Sequence, residues 1–241
     1  MAVNNLAGCT ALSISENYIK LTSDQAPVVS HIYADAWKNP EIPERQYEAC
    51  VKKEIEDYRN GQPSAPFDAF IRLLKQAGDV KTLLDVGASS AYYSEVLKIK
   101  GIELDYTALD YSTYYKDLAG KLFPEVKFEI GSALELPFED ESFDCVLHGA
   151  VIMHVQEYML AIREAARVSS RYVIFHRTPI YTDNTPTEAF VKTAYGVPCV
   201  EFHFNENELF RHFQRAGLRL QNQADVFMQG NFGHRSYLLS R

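Results

Sequence analysis

The stretch Lys81-Thr82-Leu83-Leu84-Asp85-Val86-Gly87-Ala88-Ser89-Ser90-Ala91 decides the fold. Thr82 to Val86 is a short apolar run, which reads as a buried strand. A turn of small residues follows, and then a helix expected from Ala91 to Lys100. The alternation continues downstream. Further strands are expected at 103–109, 126–130, 143–148 and 171–177. Helices are expected near 112–123 and over 156–168, the second with Met159, Ile162 and Ala166 on one side. After a long connection, Asn205 caps a helix expected to reach Ala216, with Glu208 as its partner and Gly217 as the stop. Two late strands, about 218–227 and 235–239, close the chain. Such alternation argues for an α/β fold in which a parallel sheet carries helices on both faces. Ligands of such sheets bind beyond the carboxyl ends of the strands. The loops after the first four strands are therefore the place for a site.

Working back toward the start, Tyr47, Val51, Ile55 and Tyr58 fall on one helical face before a stop at Asn60-Gly61. Ser64 then caps and Pro66 opens a helix whose Phe67, Phe70, Ile71 and Leu74 share a face, ending at Gly78. Residues 1–26 are polar and mixed and read as a loosely ordered arm. The expected organisation is an arm and helical cap over 1–78 and an α/β domain over 79–241.

Composition sets the limits. With 46% hydrophobic and 23% charged residues, the 241-residue chain has the balance of a globular domain and excludes disorder or a collagen-like chain. Its net charge of −8 supplies no basic stripe for gripping phosphate backbones, so no nucleic-acid partner is expected. Cys9, Cys50, Cys145 and Cys199 are far apart and form no CxxC, which fits a reducing, cytoplasmic setting. Leu6-Ala7-Gly8-Cys9 resembles a lipoprotein cleavage box, but five uncharged residues precede it with no apolar run, so it is rejected as an export signal. The apolar stretch around Cys145–Val155 holds two histidines and is too short to span a bilayer, so no membrane partner is expected either. No cluster has metal-ligand spacing, and no metal is expected: HExxH is absent and Glu201-Phe202-His203 alone is a weak pattern.

The turn after the first strand lacks the second and third glycines of the dinucleotide fingerprint, which argues against a nicotinamide or flavin enzyme. The second strand ends in Ala108-Leu109-Asp110-Tyr111-Ser112, and a carboxylate at Asp110 can accept hydrogen bonds from both hydroxyls of a ribose. Next come Gly131-Ser132-Ala133-Leu134-Glu135-Leu136-Pro137-Phe138 and Asp140-Glu141-Ser142-Phe143-Asp144. Met153-His154-Val155 and Glu164-Ala165-Ala166-Arg167-Val168 follow. In this order and spacing the chain resembles the class I S-adenosylmethionine-dependent methyltransferases of the small-molecule, ubiquinone/menaquinone-biosynthesis-like kind (methyltransferase type 11). The resemblance covers about residues 80–177. It implies a doubly wound, Rossmann-like fold with a mostly parallel seven-stranded sheet whose last strand is antiparallel. Three features depart from the family pattern. Ser89 and Ala91 replace two loop glycines, Ser132 stands where an aspartate near the adenine amino group is usual, and Ser169-Ser170 shortens the turn before the fifth strand.

The resemblance also implies roles. S-adenosylmethionine is the implied cofactor, its methionine part received by Gly87, Ala88, Ser89 and Ser90, with Asp85 near the amino group or ordering the loop. Free N–H groups at a helix start suit a carboxylate. Asp110, followed by Tyr111, is implied on the ribose, and Ser132, Ala133 and Leu134 along the adenine. His148 and Gly149 fall where the family lines the methyl-transfer site, and His154 where it often has the second histidine of a pair. Methyl transfer from a sulfonium is an in-line displacement that depends chiefly on positioning. A base is needed only when the acceptor must lose a proton, and His148 or His154 would serve near neutral pH. Pocket lining is the plainer reading of both.

The long connection over 178–204, rich in Tyr, Phe, Pro and Thr, reads as a lid over an acceptor, together with the helices around Tyr47–Leu74. Arg177, Tyr181, Tyr195 and His203 are candidates there. Tyr92-Tyr93 and Tyr114-Tyr115 read as packing or cofactor-covering pairs. The expected function is methyl transfer to an oxygen or nitrogen of a small molecule. The rival is an inert protein of the same fold that binds a ligand or partner. A nucleic-acid methyltransferase is opposed by the acidic balance and by Leu147-His148-Gly149-Ala150, which is not an NPPY-like motif.

Overall fold

Leu83 and Leu84 are both fully buried although neighbours on a strand point to opposite faces, and so are Cys145, Val146 and Leu147. A sheet covered on both sides is the one arrangement that satisfies this pattern. The computed structural model describes residues 15–241 and shows that sheet. Its parallel part is β2 (Thr82–Val86), β3 (Asp105–Asp110), β4 (Lys127–Ile130), β5 (Phe143–Gly149) and β6 (Ser169–Tyr181). The two late strands are β9 (Arg219–Gln229) and β10 (Phe232–Ser240), and the order across the sheet is β4-β3-β2-β5-β6-β10-β9. β10 runs antiparallel to both its neighbours, as expected of the last strand. Among the described residues, however, the sheet has ten strands rather than the expected seven, because three more join it at β6.

Helices α3 (Lys52–Arg59), α4 (Ala65–Ala77) and α5 (Tyr93–Ile99) bury Ile55, Phe70 and Val96 with Leu83, Cys145 and Leu147 on one face. On the other, α7 (Tyr158–Val168) and α8 (Glu206–Arg215) bury Ile162 and Phe213 with Leu84 and Val146. The remaining helix of the alternation, α6, is Thr113–Leu122. The caps fall where the sequence places them: Ser64 accepts the Phe67 N–H, and Asn205 accepts the Glu208 N–H at 3.1 Å. Met159 is a correction, because it lies exposed on α7 while Ala161, Ile162, Ala165 and Ala166 face the core. Among the described residues no helix is long and apolar enough to cross a membrane. Residues 1–14, with the cleavage-box motif and Cys9, lie outside the described part.

Two stretches read as irregular are regular. Residues 178–204 are not a loop. β6 continues to Tyr181, and a hairpin of β7 (Glu188–Ala194) and β8 (Val197–Asn205) follows. Part of the expected arm is β1 (Ser15–Leu21), which pairs antiparallel with β7, and α1 (Gln25–Ile32) comes next. Two parallel pairings, Ile180 with Phe204 and Tyr181 with Asn205, join this three-stranded extension to the main sheet. The hairpin turns at Tyr195-Gly196, with φ of +51° and +84°, the double left-handed step that a two-residue turn requires. Its alternation is masked in the sequence because charged residues occupy its inner positions. Lys192, Glu201 and His203 are all buried. Glu201 accepts from Lys192 Nζ, from His203 Nε2 at 2.8 Å and from the Tyr18 hydroxyl at 3.3 Å. Burial alone would raise the Glu201 pKa, but Lys192 and His203 outweigh it and hold the carboxyl well below its ordinary range.

This pair sets a test of the hairpin. Lys192→Met leaves Glu201 buried without its cation and should cost roughly 3–5 kcal/mol in urea unfolding. The double variant Lys192→Met/Glu201→Leu should recover most of that loss, whereas equal losses in the single and double variants would mean that the pair is not what holds the hairpin.

Candidate active site

The carboxyl ends of β2, β3, β4 and β5 open into one cavity of about 420 Å³, within the range of small-molecule sites. Asp85, Gly87, Ala88, Ser89, Asp110, Tyr111, Ser132, Ala133, Leu134, Gly149 and His154 all line it. Its roof is the segment from α1 to Trp37 together with Tyr195, Cys199 and Val200 of the hairpin. Sequence reading missed Trp37 and Gln46, which carry no motif and reach the cavity only through the fold.

The turn after β2 is built against its own preferences. Gly87, Ser89 and Ala91 have φ of +67°, +56° and +61°. Two of these are non-glycine residues in the left-handed region, at a cost of about 1–2 kcal/mol each. Gly87 is fixed by space as well, since a Cβ there would lie 2.3 Å from Val151 Cγ2. Hydrogen bonds hold the turn in place. The Leu109 carbonyl accepts from Gly87 N–H (2.8 Å) and Ala88 N–H (3.0 Å), and Asp110 Oδ2 accepts from Ser89 N–H (3.1 Å). The Ser89 hydroxyl donates to Gln46 Oε1 at 2.6 Å, which also accepts from the Tyr115 hydroxyl at 2.9 Å. Ser89 thus ties the turn to α2 (Ile42–Gln46).

Asp110 also accepts from Ser112 N–H at 3.0 Å on Oδ1. Each oxygen retains a further lone pair for a ligand hydroxyl. Burial raises the Asp110 pKa to about 6 despite its backbone donors. Burial likewise raises Asp85 to about 7, although it accepts from the Tyr106 hydroxyl at 2.5 Å. The cavity floor therefore carries two desolvated carboxyls without a cation beside them. Along the next strand end, Ser132 Oγ accepts from Leu134 N–H at 3.1 Å, and Gly131 N–H donates to the Asp110 carbonyl at 3.0 Å. The serine that replaces an aspartate shapes its own turn.

Two expected residues are not in the cavity. Ser90 is buried and does not line the cavity, and its hydroxyl has no partner among the described residues. His148 is the larger correction. It lies one position before Gly149 on β5 and so points to the opposite face, where its ring sits 5.3 Å from that of Phe175. Neither ring nitrogen has a partner among the described residues, and burial lowers its pKa to about 3. A neutral ring sealed in the core cannot take a proton from a substrate in the cavity.

His154 does line the cavity, 4.8 Å from the Trp37 ring. Its Nδ1 lies 2.8 Å from the Val200 carbonyl, which only accepts, so Nδ1 carries the proton and Nε2 keeps its lone pair. Burial, aided by Lys192, lowers its pKa to about 4. Of the tyrosine pairs, Tyr92 and Tyr93 both line the cavity, Tyr93 also packing on Phe67 and Phe70, and Tyr114 is exposed.

Residues 84–174 match the family model described as a methyltransferase domain. A demethylmenaquinone methyltransferase of Thermotoga maritima is 30% identical over 89 residues, 37% of this chain and 39% of that protein. Its Staphylococcus aureus counterpart is 33% identical over 103 residues, 40% of this chain and 43% of that one. The chain thus matches about two fifths of the length of these curated relatives. Among solved structures, the 1,6-didemethyltoxoflavin-N1-methyltransferase of Burkholderia thailandensis, bound to 1,6-didemethyltoxoflavin and S-adenosylhomocysteine, superposes with a TM-score of 0.59. That likeness covers 95% of this chain and 94% of the other at 15% identity, and it extends to the fold. Residues 84–174 thus match a methyltransferase domain, and the chain shares the fold of a solved methyltransferase.

The placement of His148 predicts a stability effect. A depressed folded-state pKa gives stability that is complete above the unfolded value near 6.5 and is lost as pH falls toward 3. His148→Leu should therefore be less sensitive to acid than the wild type when melting temperatures at pH 5 and pH 8 are compared. A variant with the wild-type difference between the two pH values would contradict the buried neutral ring.

Proposed function

We propose that the protein transfers a methyl group from S-adenosylmethionine to an oxygen or nitrogen atom of a small-molecule acceptor. The observation that carries this reading is Asp110, a buried carboxylate anchored by two backbone N–H groups and open to the cavity beside the Gly87–Ser89 turn. The residues fit the cofactor. Asp110 has lone pairs for two ribose hydroxyls, and Ala133 and Leu134 offer backbone and apolar surface to a base. Asp85 and Asp110, desolvated and without a nearby cation, suit a ligand that carries an ammonium and a sulfonium. When bound, the cofactor supplies an electrophilic methyl group.

The chain's own contribution is to bind, orient and exclude water. α1, Trp37 and the β7–β8 hairpin act as the lid expected of the 178–204 segment. His154 Nε2 is the neutral acceptor through which a proton leaves the substrate, and the Val200 carbonyl fixes its tautomer. The relatives' names and the small cavity favour a metabolite-sized acceptor over a macromolecule, and the widely spaced cysteines fit a cytoplasmic setting.

Asp110→Ala removes two charge-assisted hydrogen bonds to the ribose and should weaken S-adenosylhomocysteine binding by roughly 30- to 1,000-fold in calorimetry. Unchanged affinity in a folded variant would remove Asp110 from the site, and a wild type without affinity would favour the inert rival. Once a screen for methylated products identifies the acceptor, His154→Ala should lower kcat by about 10²–10⁴-fold with cofactor affinity nearly intact. With its pKa near 4, the wild-type rate should not fall on His154 protonation between pH 8 and 5. A fall centred near 6.5 would contradict that assignment.

A further inference from the structure

The carboxylates of the cavity floor have a counterpart on its far side. Among the described residues, Arg177 is the only lysine or arginine that lines the cavity. It is placed there by an irregularity in β6. Opposite Ser236 of β10 the register shifts, so that His176 and Arg177 together face one residue. The buried Ser236 hydroxyl lies 2.8 Å from His176 Nδ1 and accepts Arg177 N–H at 3.2 Å. The Ala150 N–H donates to the His176 carbonyl at 2.9 Å. Arg177 itself takes a φ of +58°, a strained conformation for a long side chain. Bulges of this kind re-aim a side chain, and here the result is a guanidinium at the cavity wall.

That guanidinium is under-partnered. Its Nη1 donates to the Tyr92 hydroxyl at 3.5 Å, the limit of a hydrogen bond. Among the described residues no carboxylate forms an ion pair with it within 4.0 Å. Glu54, whose Oε1 accepts the Ser64 hydroxyl at 2.5 Å, acts on it only through its field. Five fixed N–H donors with one weak acceptor leave a fork shaped for an oxyanion. A cation held in a cavity at the cost of backbone strain, with no counterion of its own, needs a ligand that brings one.

We infer that Arg177 is the oxyanion receptor of this cavity: a bound small molecule presents a carboxylate or similar anionic group to its guanidinium beside the Tyr92 hydroxyl. Resting on the proposed reaction, the anion has two sources, an acidic acceptor or the methionine carboxylate of the cofactor. Position favours the acceptor. Three strand spacings separate β3 from β6, which sets Arg177 roughly 14 Å across the sheet from Asp110, past the turn that receives the methionine part.

Trp37, the single tryptophan, lines the cavity and reports its occupancy by fluorescence. Sulfate and benzoate are titrated into the full chain and its Arg177→Met variant, with and without saturating S-adenosylhomocysteine. S-adenosylhomocysteine and 5′-methylthioadenosine, which lacks the carboxylate, are titrated separately. If the acceptor supplies the anion, at least one of the two anions binds the S-adenosylhomocysteine-loaded wild type. Arg177→Met then weakens that binding about 10- to 100-fold while leaving S-adenosylhomocysteine affinity unchanged. If the cofactor supplies it, S-adenosylhomocysteine excludes both anions, and the wild type prefers it to 5′-methylthioadenosine by about tenfold or more, a preference that Arg177→Met erases. Arg177→Lys, which keeps the charge without the fork, retains part of the binding in either case. Wild-type protein that binds neither anion and does not distinguish the two nucleosides overturns the inference, whether or not the variants fold. So does a folded Arg177→Met protein that binds all four probes as the wild type does. Sulfate binding through Arg177 without any S-adenosylhomocysteine binding would defeat the methyl-donor reading and leave the anion site standing.

Discussion

The Asp110 carboxylate is the point on which the site depends. It accepts Ser89 N–H with one oxygen and Ser112 N–H with the other, and so joins the turn after β2 to the start of α6. That bridge, together with the bonds to the Leu109 carbonyl and to Gln46, compensates the left-handed backbone of Ser89 and Ala91. Pairing of β2 with β3 on one side and β5 on the other brings these ends together, with Val86 opposite both Leu109 and His148. A single buried acid thus fixes the turn and leaves lone pairs for a ligand. Departure from the glycine pattern is consistent with this: the serine hydroxyl at position 89 gains a contact to Gln46 that glycine could not make.

A second polar network holds the roof. Lys192, Glu201, His203 and Tyr18 join β1, β7 and β8, and Val200, one residue before Glu201, gives its carbonyl to His154. The roof and the His154 ring are therefore coupled through adjacent residues of one strand. The Val200 carbonyl orients His154, and burial keeps the ring neutral against the pull of that carbonyl and of Glu201, while Trp37 packs on it. Arg177, across the cavity, is set by a different device, the bulge opposite Ser236.

Much of this was legible in the sequence, and each failure has its own physical cause. Strands β2 to β6 and helices α4 and α8 follow from apolar periodicity and caps such as Ser64 and Asn205. The cavity-lining run from Asp85 to Gly149 follows from its position at strand ends. The β7–β8 hairpin was hidden because Lys192, Glu201 and His203 are buried by pairing with one another, and a pattern that counts charge as exposure cannot see that. His148 was misassigned because a shift of one residue on a strand reverses its face, and the motif alone does not give that register. Gln46 and Trp37 reach the site only through packing of the N-terminal segment, for which no local pattern exists.

The central claim is that this cavity takes S-adenosylmethionine with its ribose on Asp110. The most direct measurement is a crystal structure of the full chain grown with S-adenosylhomocysteine. The account predicts both ribose hydroxyls within hydrogen-bond distance of the Asp110 oxygens and the adenine beside Ala133 and Leu134. Density for the nucleoside elsewhere, or a cavity empty at saturating ligand, would contradict it.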